Sequence, residues 1–313
     1  MDTKIKLWMN RNSLNRKMLE EAFEIVEDIN KAEYFLCWTW IPEDVTSHPE
    51  KLKKTIYVAY EVPLTGHVFY CYTLLDKLHT AVVYSVDPAK SNQIPMSFNP
   101  LYFPVNPFFE NDLDLGEIKE INNKIFYAGA RCFGIYNDVP ELFGVNAKED
   151  RDKLACEILK RKKGTIVGEG WPLKTKYPDD KMSWRKRKIL DTKEANCSYH
   201  LCFENYLMPG LISERLHDGF SSDRVILYLG DPQIDRWLPN DCYIDLRQFF
   251  DGKNHKFDHE AFFNKIDSIT LEEYSAILNN ARTLRKSMDR EGFIKERDKI
   301  TKLIINRIYG KKD

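Results

Sequence analysis

The chain has 313 residues, with 47 Lys and Arg against 48 Asp and Glu, and its formal net charge of −1 gives no global reason to expect nucleic acid. A composition of 43% hydrophobic and 30% charged residues is that of a soluble globular protein long enough for two domains, each with its own core. Seven scattered cysteines, odd in number and mostly inside apolar runs, argue for reduced, buried thiols in a cytoplasmic setting and against a disulfide framework.

Taken in order, residues 4–9 (KIKLWM) read as a first strand. Leu19, Phe23, Ile25 and Val26 read as one face of a helix ending near Lys31. YFLCWTW (34–40) is an aromatic strand of the core, and residues 41–49 are a loop rich in Pro, Asp and Ser. KTIYVAYEV (54–62) is a strand ending on Glu61, and HTAVVYSV (79–86) is another, followed by Asp87. Strands spaced by helices or long connections predict a parallel sheet. Residues 88–123 have little periodicity and read as a long loop and hinge. A second set of alternating elements follows: a strand from Ile125, a helix over 150–159, a strand over 164–170 and a polar, basic stretch over 171–192. Residues 199–203 and 225–229 are buried strands, with a helix between them marked by Ile212, Leu216 and Phe220. CYIDLRQFF (242–250) reads as strand and loop, and helices run from 270 to the end. No apolar stretch of signal-peptide type opens the chain, and no apolar run reaches the length of about 18 residues that a membrane span needs.

Residues 199–231 hold the densest pattern: strand, the polar pair Glu204 and Asn205, Pro209 and Gly210, helix, strand and Gly230. In such a βαβ unit, ligands sit at the carboxyl ends of the strands, where a helix N-terminus offers unpaired N–H groups to a phosphate. F-E-N, a loop, G-L-I-S-E-R, a helix and V-I-L-Y-L-G resemble the donor-site signature of the α1,3/4-fucosyltransferases, an inverting GT-B glycosyltransferase family. That family typically reads F-E-N, a short loop, G-Y-V/I-T-E-K, a helix and V/I-P-x-x-x-G. Gly210, Ser213, Glu214 and Arg215 fall where the family has Gly, Thr, Glu and Lys. Leu211 replaces its usual Tyr, and Ile226 its usual Pro.

The resemblance implies an α/β protein of two Rossmann-like domains with parallel sheets and a C-terminal helical segment. Residues 1–120 would bind the acceptor, 121–280 the nucleotide sugar, and 281–313 would form a basic amphipathic helix. It also implies transfer of fucose from GDP-fucose to a glycan hydroxyl. Such a transfer needs a base for the acceptor proton, cations for the departing diphosphate and a pocket that aligns the two. Glu61, at the end of its strand, is the candidate base by resemblance, although a Glu there could equally cap the following turn; Asp87 is the fallback carboxylate. Arg151 is the candidate phosphate clamp, with a helix-surface arginine as the alternative. Glu214 is favoured by the helix dipole in any case, while the resemblance gives it the ribose hydroxyls and gives Arg215 the phosphates. Glu204 and Asn205 would shape the sugar pocket, and Leu211 cannot stack on a base as the family's aromatic ring would. With protein cations available, no cofactor and no strict metal requirement is expected.

Other signals read as structural. Asp112-Leu113-Asp114 lies in an acidic loop, Cys197, His200 and Cys202 lack a fourth metal ligand, and His255 and His259 sit in a charged segment. Residues 281–313 hold eleven Lys/Arg and five Asp/Glu, with Ile300, Leu303, Ile304 and Ile308 as an apolar stripe. A helix packed on the body is the main reading, and peripheral membrane contact is the alternative.

Overall fold

The computed structural model describes residues 4–10, 15–38, 40–58, 74–83, 93–95, 120–131, 145–172, 191, 195–207, 212–236, 238–287 and 290–311. These divide between two compact units, one drawn from Met1–Asn99 with Arg290–Asp313, the other from Pro100–Asp289.

The first unit contains β1 (Lys6–Met9), α1 (Arg16–Ala22), β2 (Glu24–Ile25), β3 (Tyr34–Trp38), α2 (Glu43–Thr46), α3 (Pro49–Leu52), β4 (Thr55–Val58), β5 (Thr80–Val83) and β6 (Gln93–Pro95). Its sheet runs β2-β1-β3-β4-β5-β6, and every pair is parallel. All four residues of β4 are buried, as a strand covered on both faces requires. The helix expected to reach Lys31 stops at Ala22 instead. Phe23 turns extended, and the Glu24 and Val26 N–H groups bond to Ile5 and Leu7 carbonyls at 3.0 Å, so a sheet edge captures the apolar residues assigned to the helix. The loops predicted over 41–49 and 88–123 also hold structure, namely α2, the start of α3 and the edge strand β6.

The second unit contains β7 (Ile125–Ala128), β8 (Val145–Asn146), α4 (Lys148–Lys160), β9 (Gly164–Val167), β10 (Tyr199–Phe203), β11 (Tyr206–Leu207), α5 (Glu214–Ser221), β12 (Val225–Leu229), β13 (Ile244–Asp245), β14 (Phe250–Asp251), β15 (Lys256–Phe257), α6 (His259–Ser268) and α7 (Leu271–Ser287). A second parallel sheet runs β13-β12-β10-β7-β9. β10 and β12 are buried at every position, in register from Tyr199 opposite Val225 to Phe203 opposite Leu229. Period two divides the side chains between two cores. Tyr199, Leu201 and Phe203 pack with Leu154 and Ile158 of α4 and with Phe262 and Ile266 of α6. Cys202 packs with Leu216 and Phe220 of α5.

The final helix, α8 (Arg290–Ile308), belongs to the first unit. Ile300, Ile304 and Ile308 of the apolar stripe are buried. Asn15, which caps α1, donates from Nδ2 to Asp298 Oδ1 (2.7 Å), and the Thr301 hydroxyl accepts the Asn15 N–H (3.1 Å). Beyond the helix, Tyr309 stacks on Phe23 at 5.5 Å and donates its hydroxyl to the Ala22 carbonyl (2.6 Å). The described helical residues of 281–313 thus divide between the units: those up to Ser287 belong to α7 in the second, and α8 packs through its stripe in the first. No helix of the described residues is long and apolar enough to cross a membrane.

Candidate functional site

At the carboxyl end of β10 the chain passes from a fully buried strand to Glu204, whose own N–H extends the ladder to the Leu229 carbonyl at 2.8 Å. Glu204 is 1% exposed. A carboxylate so placed must find donors, and it has two. The Ser213 N–H donates to Oε1 at 2.8 Å, and Arg215 donates from Nη1 to Oε2 at 3.2 Å. Ser213 is the N-cap of α5: its hydroxyl accepts from the Arg215 N–H and from Arg215 Nη1, both at 3.2 Å. Burial pushes the Glu204 carboxyl above its ordinary range, against the pull of Arg215 and Ser213. Burial opposes the Arg215 charge, yet Glu214 and Glu204 together hold its pKa above the usual arginine value.

Arg215 uses only Nη1 in these contacts; its Nε and Nη2 have no hydrogen-bond partner among the described residues. The side chain is 18% exposed. It is a cation anchored on one edge and open on the other. Glu214 is half-buried in the first turn of α5.

Two tyrosines flank this cluster, one on each neighbouring strand. β7 ends Tyr127-Ala128-Gly129 and β12 ends Tyr228-Leu229-Gly230, and in both the ring folds over the glycine, where a Cβ would overlap the phenol oxygen. The Tyr228 hydroxyl accepts the Asp231 N–H at 3.0 Å. Burial, with Glu204 beside it, pushes that hydroxyl well above its ordinary pKa. A methyl group at Gly230 would also lie 2.7 Å from Glu204 Cγ. Gly230→Ala is therefore expected to displace both the Tyr228 ring and the Glu204 carboxylate, at a cost of about 1–3 kcal/mol in chemical unfolding. An unchanged denaturation midpoint would show that the pocket yields freely.

Arg151 lies in the first turns of α4 and is 1% exposed, so it is not the surface arginine of the alternative reading. β8 and β11 bring it there: Tyr206 pairs with Asn146 and Leu207 with Val145, and the Ala147 N–H bonds to the Asn205 carbonyl at 3.0 Å. The α4 N-terminus is thereby fastened to the chain leaving β10. Arg151 donates from Nη1 to Asn205 Oδ1, from Nη2 to the Ala130 carbonyl (3.2 Å) and from Nη2 to Asp152 Oδ1 (3.1 Å). Its guanidinium also lies 5.8 Å from the centre of the Tyr127 ring. Asn205 is half-buried.

The structure thus brings together Glu204, Asn205, Ser213, Glu214, Arg215 and Arg151 around the carboxyl end of β10. Glu61, Asp87, Gly210, Leu211 and the Asp112–Asp114 pair lie outside the described residues. Tyr127, Asp152 and Tyr228 were not among the sequence candidates. A repeated Y-x-G at two strand ends could have pointed to the tyrosines, whereas Asp152 carried no signal. Among the described residues, no three His, Cys, Asp or Glu side chains gather as a metal site. Cys202 donates its thiol to the Arg215 carbonyl (3.1 Å), and His200 packs edge-on against Phe126 at 5.3 Å.

No protein-family model matches the chain, and no curated protein matches it in sequence. Among solved structures it is similar to an α1,3-fucosyltransferase at 12% identity, over 88% of this chain and 81% of that one, with a TM-score of 0.52. The likeness establishes the fold. The chain has the α/β fold of two parallel-sheet units found in GT-B glycosyltransferases. A glycosyltransferase from Rickettsia africae ESF-5 is more distant, at 10% identity over 99% of both chains, with a TM-score of 0.45. Anabaena Alr3699/HepE in complex with UDP-glucose is similar at 8% identity over 95% of this chain and 99% of that one, also with a TM-score of 0.45. At these identities none of the three speaks to chemistry.

Proposed function

We propose that the protein is an inverting glycosyltransferase that moves fucose from GDP-fucose to a hydroxyl of a glycan acceptor. The observation that supports this most is the Glu204–Ser213–Arg215 cluster. The stretch resembling a donor-site signature folds so that a partly exposed arginine, braced from behind, stands at the N-terminus of the helix in a βαβ unit. In the reaction, the acceptor oxygen forms a bond to the anomeric carbon as the bond from that carbon to the diphosphate oxygen breaks. The electron pair leaves with the diphosphate, and Glu61 takes the acceptor proton. Arg215 and the positive end of the α5 dipole meet the charge that develops on the phosphates. Glu214 would hold the ribose hydroxyls. Protein cations supply the electrostatic stabilisation, so transfer should survive a chelator.

Leu211 prompts a second reading within the same chemistry, in which another nucleotide sugar is the donor. Thermal-shift and turnover measurements with GDP, UDP and their sugars separate the two. GDP is expected to raise the melting temperature and GDP-fucose to be consumed. Stabilisation by UDP and not by GDP would replace fucose with another sugar. A protein that binds GDP but turns over no donor would be a silent binding protein, and one that no nucleoside diphosphate stabilises would end the transferase reading.

A further inference from the structure

The two arginines of the site differ in what their donors do. Arg215 is braced through Nη1, with Nε and Nη2 unbonded among the described residues. Arg151 is committed to the protein on three sides: to Asn205 Oδ1, to the Ala130 carbonyl and to Asp152, with the Tyr127 ring beneath it. Its ion pair with Asp152 is closed to water, with side-chain exposures of 2% and 7%.

Guanidinium has only donors, so the amide of Asn205 can meet it only through its oxygen. That fixes the flip of the amide and turns its NH2 group away from Arg151. Those two N–H donors have no partner among the described residues. Asn205 directly follows Glu204, the residue that braces Arg215, so the amide leaves the strand end against which the Arg215 guanidinium of α5 folds back. We propose that Arg151 is a positioning residue, which holds the Asn205 amide with its NH2 group presented, beside Arg215, to the phosphate oxygens of a nucleoside diphosphate. The inference rests on the reading of this site as a diphosphate site, and it assigns Arg151 no direct contact with the ligand.

Asn205→Asp provides the discriminating test. It keeps an oxygen facing Arg151, so the fold retains its bond and the added charge is paired, but it replaces the outward donors with an acceptor. Calorimetric titration of the full chain with GDP, and with UDP in parallel, is expected to show affinity at least tenfold weaker in Asn205→Asp at an unchanged or raised melting temperature. If Asn205 served only to satisfy Arg151, Asn205→Asp would bind GDP like the wild type, and that result overturns the proposal. Arg151→Lys, whose single ammonium cannot span the three partners, is expected to weaken GDP binding in the wild-type background and to have no further effect in Asn205→Ala. An equal loss in both backgrounds would mean that Arg151 acts on the ligand by another route, and would also overturn it. Wild-type protein that binds neither GDP nor UDP would bring down the diphosphate reading itself, an outcome distinct from a failed cycle.

Discussion

Glu61→Ala is expected to lower kcat for transfer by about 10²–10⁴-fold, the usual contribution of a positioned general base. Affinity for GDP should not change, because the groups proposed to meet the diphosphate belong to α5 and the end of β10 rather than to the first unit. β4 is the strand that leads towards Glu61; it is buried at every position from Thr55 to Val58 and paired on both sides with parallel neighbours. Carboxyl ends of parallel strands are where α/β proteins place their chemistry. A separation of turnover from binding is what marks a base. A parallel loss of kcat and GDP affinity would instead point to structural damage, and full activity would pass the role to Asp87. The same turnover measurement in Asp87→Ala distinguishes the two carboxylates.

Arg151→Met is expected to destabilise the protein by about 3–5 kcal/mol, the typical cost of stripping one partner from a buried ion pair. The loss has identifiable sources. Asp152 would remain 5% exposed with its guanidinium gone, and the Ala130 carbonyl and Asn205 Oδ1 would each lose a donor. Methionine restores part of the packed volume but none of the bonds. Urea denaturation of the nucleotide-free protein measures the effect. Replacing Asp152 by Leu in the same chain should recover much of the loss, because no stranded charge then remains. A cost near that of an exposed pair, about 0–1 kcal/mol, would show that water reaches Asp152. The Arg16–Glu20 pair, with side chains 65% and 50% exposed, supplies such a reference on the surface of α1.

The central strands were legible because burial on both faces leaves a continuous apolar run. Val225–Leu229 and Tyr199–Phe203 could scarcely be anything else. The helix between them showed its period through Ile212, Leu216 and Phe220, all of which are buried on one core. Edges were harder. Ile25 was assigned to a helix because apolar residues cluster there, and only the exposed rim of β1 decides that the backbone pairs instead. β8 and β11 are two residues each and have no local pattern, yet they fasten the start of α4 to the end of β10.

The site divides along the same line. Local spacing placed Ser213, Glu214 and Arg215 at a helix start, and the structure has them there. That Glu204 lies behind Arg215 depends on Ser213 and Arg215 folding back over the strand end, a contact between residues nine and eleven positions apart. That Arg151 is enclosed depends on Ala130, Asp152 and Asn205 converging from three segments, which no linear pattern reveals.

The placement of α8 sets an order of events during synthesis. Its buried isoleucines and its bonds to Asn15 come from beyond Asp289, while α1, which it packs against, lies before Pro100. A ribosome delivers Pro100–Asp289 as one uninterrupted piece, so that half can close while translation continues. The other half cannot bury the α8 isoleucines until that helix emerges, so it is the later of the two to close.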